Sequence, residues 1–149
     1  MAARLIKRFY QRSEILKDYE VHGCTDVTGF SLAGHALEMA EGSQVTIKID
    51  TKKIPFLPDV EEYAKMGLVP EGTYRNKEFL REKIKLNDTI KESFEDLLFD
   101  PQTSGGLLVS LKKKDAKEVL KRLQEQEQTR YSKIVGEVEE KQEVHLIFL

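Results

Sequence analysis

Apolar positions recur along this chain at two periods, and their alternation outlines interleaved helices and strands. Between residues 4 and 19, Leu5, Ile6, Phe9, Leu16 and Tyr19 fall near one face at helical spacing. Met1-Ala2-Ala3 offers that helix no cap, so the chain reads as a piece of a longer protein. Val21-His22-Gly23-Cys24 predicts a short strand. Residues 31–41 predict a helix with Leu32, Ala36, Leu37 and Ala40 inward and Gly42 as its stop. Residues 45–50 alternate cleanly, as a strand with one face in the core does. After Pro55 and Pro58, residues 59–66 predict a short helix closed by Gly67.

Residues 68–76 have no usable period and read as a surface loop, with Asn76 as the cap of a short turn through Leu80. Residues 81–88 fit a strand or a loop equally well. Ile90, Phe94, Leu97 and Leu98 predict a helix over 89–99. It ends at Asp100-Pro101, because the residue before a proline disfavours helix. Residues 107–111 are apolar on both faces and predict a central buried strand. Asp115 is the expected cap of a helix over 115–127, with Ala116, Val119, Leu120 and Leu123 inward. Strands over 133–139 and 143–149 follow, joined by a link short enough for a hairpin. This order implies a layered α/β or α+β domain with helices packed on a sheet.

Composition narrows the class. The chain has 149 residues, of which 40% are hydrophobic and 34% charged, enough for one domain with a real core. A formal net charge of −2 argues against a nucleic-acid partner, which calls for a basic domain. No apolar run approaches the roughly 20 residues that span a bilayer, so no membrane partner is expected. The first residues lack the apolar core of a signal peptide. One cysteine allows no intrachain disulfide, and a cytoplasmic location is the expectation.

The chemistry concentrates in Cys24-Thr25-Asp26-Val27-Thr28-Gly29-Phe30-Ser31, just ahead of the 31–41 helix. Helix starts leave N–H groups unpaired and carry partial positive charge, which suits phosphate. An Asp beside such a start can hold a magnesium ion that is itself bound to phosphate. Asp26 alone is only part of such a site. The simpler alternative is an Asp/Thr turn that caps the helix.

Other candidates carry less. Cys24 invites a nucleophile reading, but no histidine is placed by sequence to activate it, and a packed thiol is the simpler role. His22 and His35 share no metal spacing with each other or with a cysteine pair, and His35 reads as a packing or capping residue. Gly105 and Gly106 permit close approach of a ligand or of a neighbouring backbone and read as a structural turn. Arg75 offers a guanidinium for a phosphate or carboxylate, although a solvated arginine is the commoner case. Lys112-Lys113-Lys114 reads as a solvated turn.

Four blocks together resemble the C-terminal domain of selenophosphate synthetase, also called selenide, water dikinase. They are Val21-His22-Gly23-Cys24-Thr25-Asp26-Val27-Thr28-Gly29-Phe30 with Gly34-His35, Ile54-Pro55 with Leu57-Pro58, Gly72-Thr73-Tyr74-Arg75-Asn76, and Asp100-Pro101-Gln102-Thr103-Ser104-Gly105-Gly106-Leu107-Leu108. The resemblance implies the fold shared with aminoimidazole ribonucleotide synthetase, an α+β fold in α/β/α layers with helices flanking a mixed sheet. It implies an enzyme that converts ATP, selenide and water to selenophosphate, AMP and orthophosphate. In that family the matching aspartate helps bind Mg2+ with ATP, which carries onto Asp26, with backbone donors for phosphate expected at Thr28 and Gly29. The reactive cysteine or selenocysteine and its lysine belong to an N-terminal domain that this chain lacks, so no catalytic residue is expected here. The chain alone is then inactive. The expected division is a lead-in helix over 1–19 and the synthetase domain over 20–149, with a homodimer expected for the enzyme. The alternatives are a non-catalytic assembly or dimerisation module, or a domain of a related ATP-dependent synthetase. One departure stands out: the family's Gly-Phe-Gly is Gly29-Phe30-Ser31 here. Serine lacks glycine's freedom at positive φ but can cap a helix.

Overall fold

The computed structural model describes residues 14–103 and 105–149. Its helices are α1 (Ser31–Ser43), α2 (Val60–Lys65), α3 (Glu71–Leu80), α4 (Glu92–Phe99) and α5 (Ala116–Gln124). Its strands are β1 (Val21–Asp26), β2 (Val45–Ile49), β3 (Ile84–Leu86), β4 (Leu107–Leu111), β5 (Gly136–Glu140) and β6 (Leu146–Phe148). The predicted face of Leu5, Ile6 and Phe9 lies outside the described residues. Residues 14–16 are helical and the chain then turns, so Tyr19 falls beyond that helix.

The described residues form two compact units, one within 24–108 and 135–149, the other within 14–23 and 109–134. β1 and β4 pair as a two-stranded sheet. In the larger unit a mixed sheet runs in the order β3-β6-β2-β5. β2 is parallel to β6 and antiparallel to β5, and β3 is parallel to β6. Helices flank this sheet, as expected. α1 lies against β2 and β6, and α4 packs on α1, α2 and α3. Ala33, Ala36 and Ala40, all fully buried, let α1 share one core with Ile49, Leu146 and Phe148. Full burial of each of the larger side chains is worth about 1.5–3 kcal/mol. In the smaller unit, Ile15, Leu16 and Val119 are buried. There Arg122 bonds Asp18 Oδ2 at 2.7 Å and the Tyr19 hydroxyl at 3.2 Å.

Several sequence expectations are corrected. Residues 133–149 form no hairpin, because β2 sits between β5 and β6. Thr46 explains how: its Oγ1 donates to Val144 O at 2.7 Å and accepts from Gln142 N–H at 2.8 Å, pinning the link between the two strands. Thr46 is fully buried under this link, while Ile47 and Ile49 carry the core face of β2 as expected. β4 is not a central strand, since among the described residues it has only β1 beside it, and it stays half-buried along its length.

Residues 71–76 are not a loop but the first part of α3, entered through Pro70 with Glu71 in its first turn. Asn76 lies inside that helix and caps nothing. Gly42 lies within α1, which ends at Gln44 in the left-handed region instead (φ 53°). Asp115 precedes α5 without a side-chain bond to it, and that helix stops at Gln124, short of the expected 127. α4 begins at Glu92, later than the expected 89.

Candidate cation and phosphate site

β1 continues past Cys24 to Asp26, with alternate residues exposed, so Asp26 stands at a strand end rather than in a loop. Val27 turns inward and its N–H donates to Gly106 O at 2.9 Å. Thr28 O then accepts two bonds at 3.0 Å each, from Ser31 N–H and from Gln102 N–H. Gly29 O accepts from Asn76 Nδ2 at 3.0 Å, and the same amide donates to Phe99 O at 3.0 Å. The Asp26–Ser31 turn is therefore held by the 99–106 loop and by α3.

Small residues make these contacts possible. A Cβ on Gly105 would lie 2.3 Å from Val27 O, and one on Gly72 would lie 3.0 Å from Pro101 Cγ. A Cβ on Gly34 would meet the Phe30 ring at 2.6 Å. That ring lies edge-on to His35 with centroids 6.0 Å apart, and tilted against Phe79 at 5.8 Å. Ser31, fully buried, keeps φ at 70° and still bonds: its Oγ accepts from Gly34 N–H at 3.4 Å. It meets the backbone demand that the family's glycine would meet, and it caps as well.

Among the described residues no hydrogen bond or ion pair reaches the exposed Asp26 carboxylate. Nor do the Thr28 and Gly29 N–H groups donate to a described acceptor. A hard carboxylate oxygen left open in this way fits magnesium, which takes one or two carboxylates and keeps other positions for water and phosphate. Among the described residues no cluster of three His, Cys, Asp or Glu side chains is spaced for a metal ion. Asp26 is thus a single open carboxylate and not a complete set of metal ligands.

Thr28 Oγ1 lies 2.9 Å from His35 Nε2, and His35 Nδ1 lies 3.0 Å from Glu38 Oε2. Burial pushes the Asp100 carboxyl above the ordinary aspartate range, against the opposing bond from Gln102 Nε2 at 2.8 Å. Partial burial, helped by the Asp26 charge, pushes the Cys24 thiol up, which lowers its thiolate fraction and its nucleophilicity. His22 faces Glu20 Oε1 at 3.4 Å. Arg75 is largely exposed, 3.8 Å from Glu71 Oε1. Asn76 is the residue that pattern reading misplaced. Its signal was the Pro70-Glu71 helix start, which puts Thr73, Asn76 and Leu80 on one face.

Residues 2–148 match the AIR synthase related protein, C-terminal domain family. The chain belongs to that family. The selenide, water dikinase of Clostridium botulinum (strain Eklund 17B / Type B) is 49% identical over 122 residues, covering 82% of this chain and 35% of that protein. The selenide, water dikinase of Caldanaerobacter subterraneus subsp. tengcongensis is 48% identical over 134 residues, covering 89% of this chain and 38% of that protein. The chain thus spans about a third of the length of these curated relatives. Among solved structures, E. coli HypE, a hydrogenase maturation protein, matches with a TM-score of 0.63 at 19% identity, over 91% of this chain and 34% of that one. A chain of the HypE–HypF complex matches with a TM-score of 0.64 at 20% identity, over 97% of this chain and 37% of that one. Likeness at that identity is one of fold. The resemblance read from the motifs agrees with the dikinase relatives. Among the described residues no helix is long and apolar enough to cross a membrane.

Proposed function

We propose that this chain is the C-terminal domain of a selenide, water dikinase and carries one carboxylate of its Mg2+–ATP site. The enzyme would make selenophosphate, AMP and orthophosphate from ATP, selenide and water. The observation that carries the reading is Asp26, an exposed carboxylate without a described partner, in a turn fixed on both sides by backbone contacts. Asp26 would hold the ion, and the Thr28 and Gly29 N–H groups would donate to phosphate oxygens. When bound, the ion neutralises charge on those oxygens as the phosphate linkages break.

The remaining ligands and the reacting groups belong to the part of the enzyme outside this chain, which alone turns over no selenide. A boundary between a lead-in segment over 1–19 and the domain over 20–149, a homodimeric assembly and a cytoplasmic location belong to the same reading. Calorimetric titration of Mg·ATP into the chain and its Asp26→Ala variant tests it. Weak binding lost on substitution is expected. No binding to either chain would leave an assembly module instead. Selenide-dependent AMP formation by the chain alone at an enzymatic rate would refute the division of labour.

A further inference from the structure

The chain of contacts from Glu38 through His35 to Thr28 decides which way a hydroxyl points. Glu38 Oε2 lies 3.0 Å from His35 Nδ1, and an ionised carboxylate can only accept. Nδ1 therefore carries the ring proton, since the opposite tautomer would set its lone pair against the carboxylate. In a neutral imidazole the other nitrogen, Nε2, is then an acceptor. With the ring neutral, Thr28 Oγ1, 2.9 Å from it, is the donor. The hydroxyl proton is committed to the ring, and what Thr28 has left to offer is lone pairs.

The rest of Thr28 sharpens this. Its carbonyl already accepts from Ser31 and Gln102, so the hydroxyl is its oxygen with acceptor capacity to spare. Asp26 and Thr28 lie two residues apart on either side of the inward-turned Val27, Asp26 exposed and Thr28 half-buried. An anionic phosphate oxygen needs a donor and gains nothing from those lone pairs. A cation, or a water bound to one, is the complementary partner.

We propose that the Thr28 hydroxyl, held with its lone pairs outward by His35 and Glu38, is a second oxygen for the divalent cation of the Asp26 site. It meets the ion directly or through one of the ion's waters. His35 and Glu38 are positioning residues. The inference rests on the reading of Asp26 as a cation ligand and adds to it a side chain and an orientation.

The test uses the 149-residue chain and Mn2+ alone as the probe. Residue-resolved paramagnetic broadening of amide signals locates the ion and gives an apparent dissociation constant. Long-range proton–nitrogen correlation spectra read the His35 tautomer. Broadening centred on Asp26, abolished in Asp26→Ala, is expected for the wild type. Thr28→Val should weaken binding about 3- to 10-fold, the range for one neutral hydrogen bond, and Thr28→Ser should restore it. The tautomer spectrum should show the proton on Nδ1.

If broadening centres on Asp26 but Thr28→Val binds as wild type, this inference falls while the reading of Asp26 stands. If broadening never centres on Asp26, both fall. A proton on Nε2 overturns the orientation, and with it the inference, whatever the affinities. Should Thr28→Val fail to fold, His35→Phe removes the acceptor that holds the hydroxyl. Binding by that variant at wild-type strength overturns the inference in the same way, and a several-fold loss supports it.

Discussion

Replacing Gly105 by alanine tests the contact on which the candidate site is built. The added methyl would sit 2.3 Å from Val27 O, 3.0 Å from Val27 Cβ and 3.1 Å from Val27 C. Two of those three atoms are backbone, so no rotamer change relieves the clash. The 99–106 loop must move away from Val27 by most of an ångström, and the bond from Val27 N–H to Gly106 O, now 2.9 Å, cannot survive that shift. Overpacking costs about 1–3 kcal/mol. The lost hydrogen bond from buried Val27 to exposed Gly106 adds about 1 kcal/mol. The expected loss is therefore about 2–4 kcal/mol, or roughly 5–15 °C in Tm for a chain of this size. Urea and thermal unfolding followed by circular dichroism measure it.

Gly106→Ala is the internal control. A Cβ there meets nothing within 4 Å, and its φ is not in the left-handed region. It should lie within about 0.5 kcal/mol of wild type, or gain slightly from a stiffer unfolded chain. Equal stability of the two variants would refute the close approach of the loops.

Further substitutions bear on this turn and on the loop beside it. Asn76→Asp replaces the amide that donates to Gly29 O and Phe99 O with an acceptor facing both carbonyls. It should cost about 2–4 kcal/mol and speed hydrogen exchange at Ser31, whereas Asp26→Ala should leave stability within about 0.5 kcal/mol. Ser31→Ala keeps the positive φ and loses the hydroxyl bond, whereas Ser31→Gly relieves a left-handed cost of about 1–2 kcal/mol. The glycine variant should therefore be more stable than the alanine variant by about 1 kcal/mol or more in chemical unfolding, and the reverse order would contradict the assigned backbone. Asp100 has its folded-state pKa raised by burial, so the folded chain binds that proton more tightly than the unfolded chain does. Its contribution is fully present below the unfolded aspartate value of about 3.9 and is lost as pH rises through the raised folded value. Asp100→Asn should then gain stability over wild type at pH 7, a gain that shrinks toward pH 4 and below in parallel unfolding curves.

What the sequence makes legible follows from where the deciding physics is local. α1 and β2 were readable because their apolar residues recur at one period and bury one continuous core. α3 was not, because the face it turns toward the 99–106 loop carries Gly72 and Asn76, which fit by closeness and hydrogen bonding rather than by hydrophobicity. The partners of β5 and β6 were hidden for a different reason. Alternation reports which side chains go inward but not which strand lies alongside, and here a single buried hydroxyl on Thr46 carries the link past β2. β4 shows the converse, where apolar residues on both faces do not make a strand central. At Ser31 local preference against positive φ gave way to tertiary demand, because the turn must deliver α1 into the core at that residue.

Those same contacts weigh on the two readings that Asp26 allowed. A capping aspartate would sit at the helix start and accept from an N–H two or three residues on. Asp26 does neither: α1 starts at Ser31 behind Phe30, whose side chain makes no capping bond, and the first turn contains no acid. The turn between them is ordered instead by Ser31 and Gln102 on Thr28 O, Asn76 on Gly29 O, and Gly106 on Val27 N–H. Every one of those bonds is made by the main chain of the turn, and none consumes the carboxylate. A side chain whose role was to hold the turn would be among the groups holding it. Order around a carboxylate that takes no part in it is what a ligand site requires, because the cost of fixing the geometry is then met before the ion arrives.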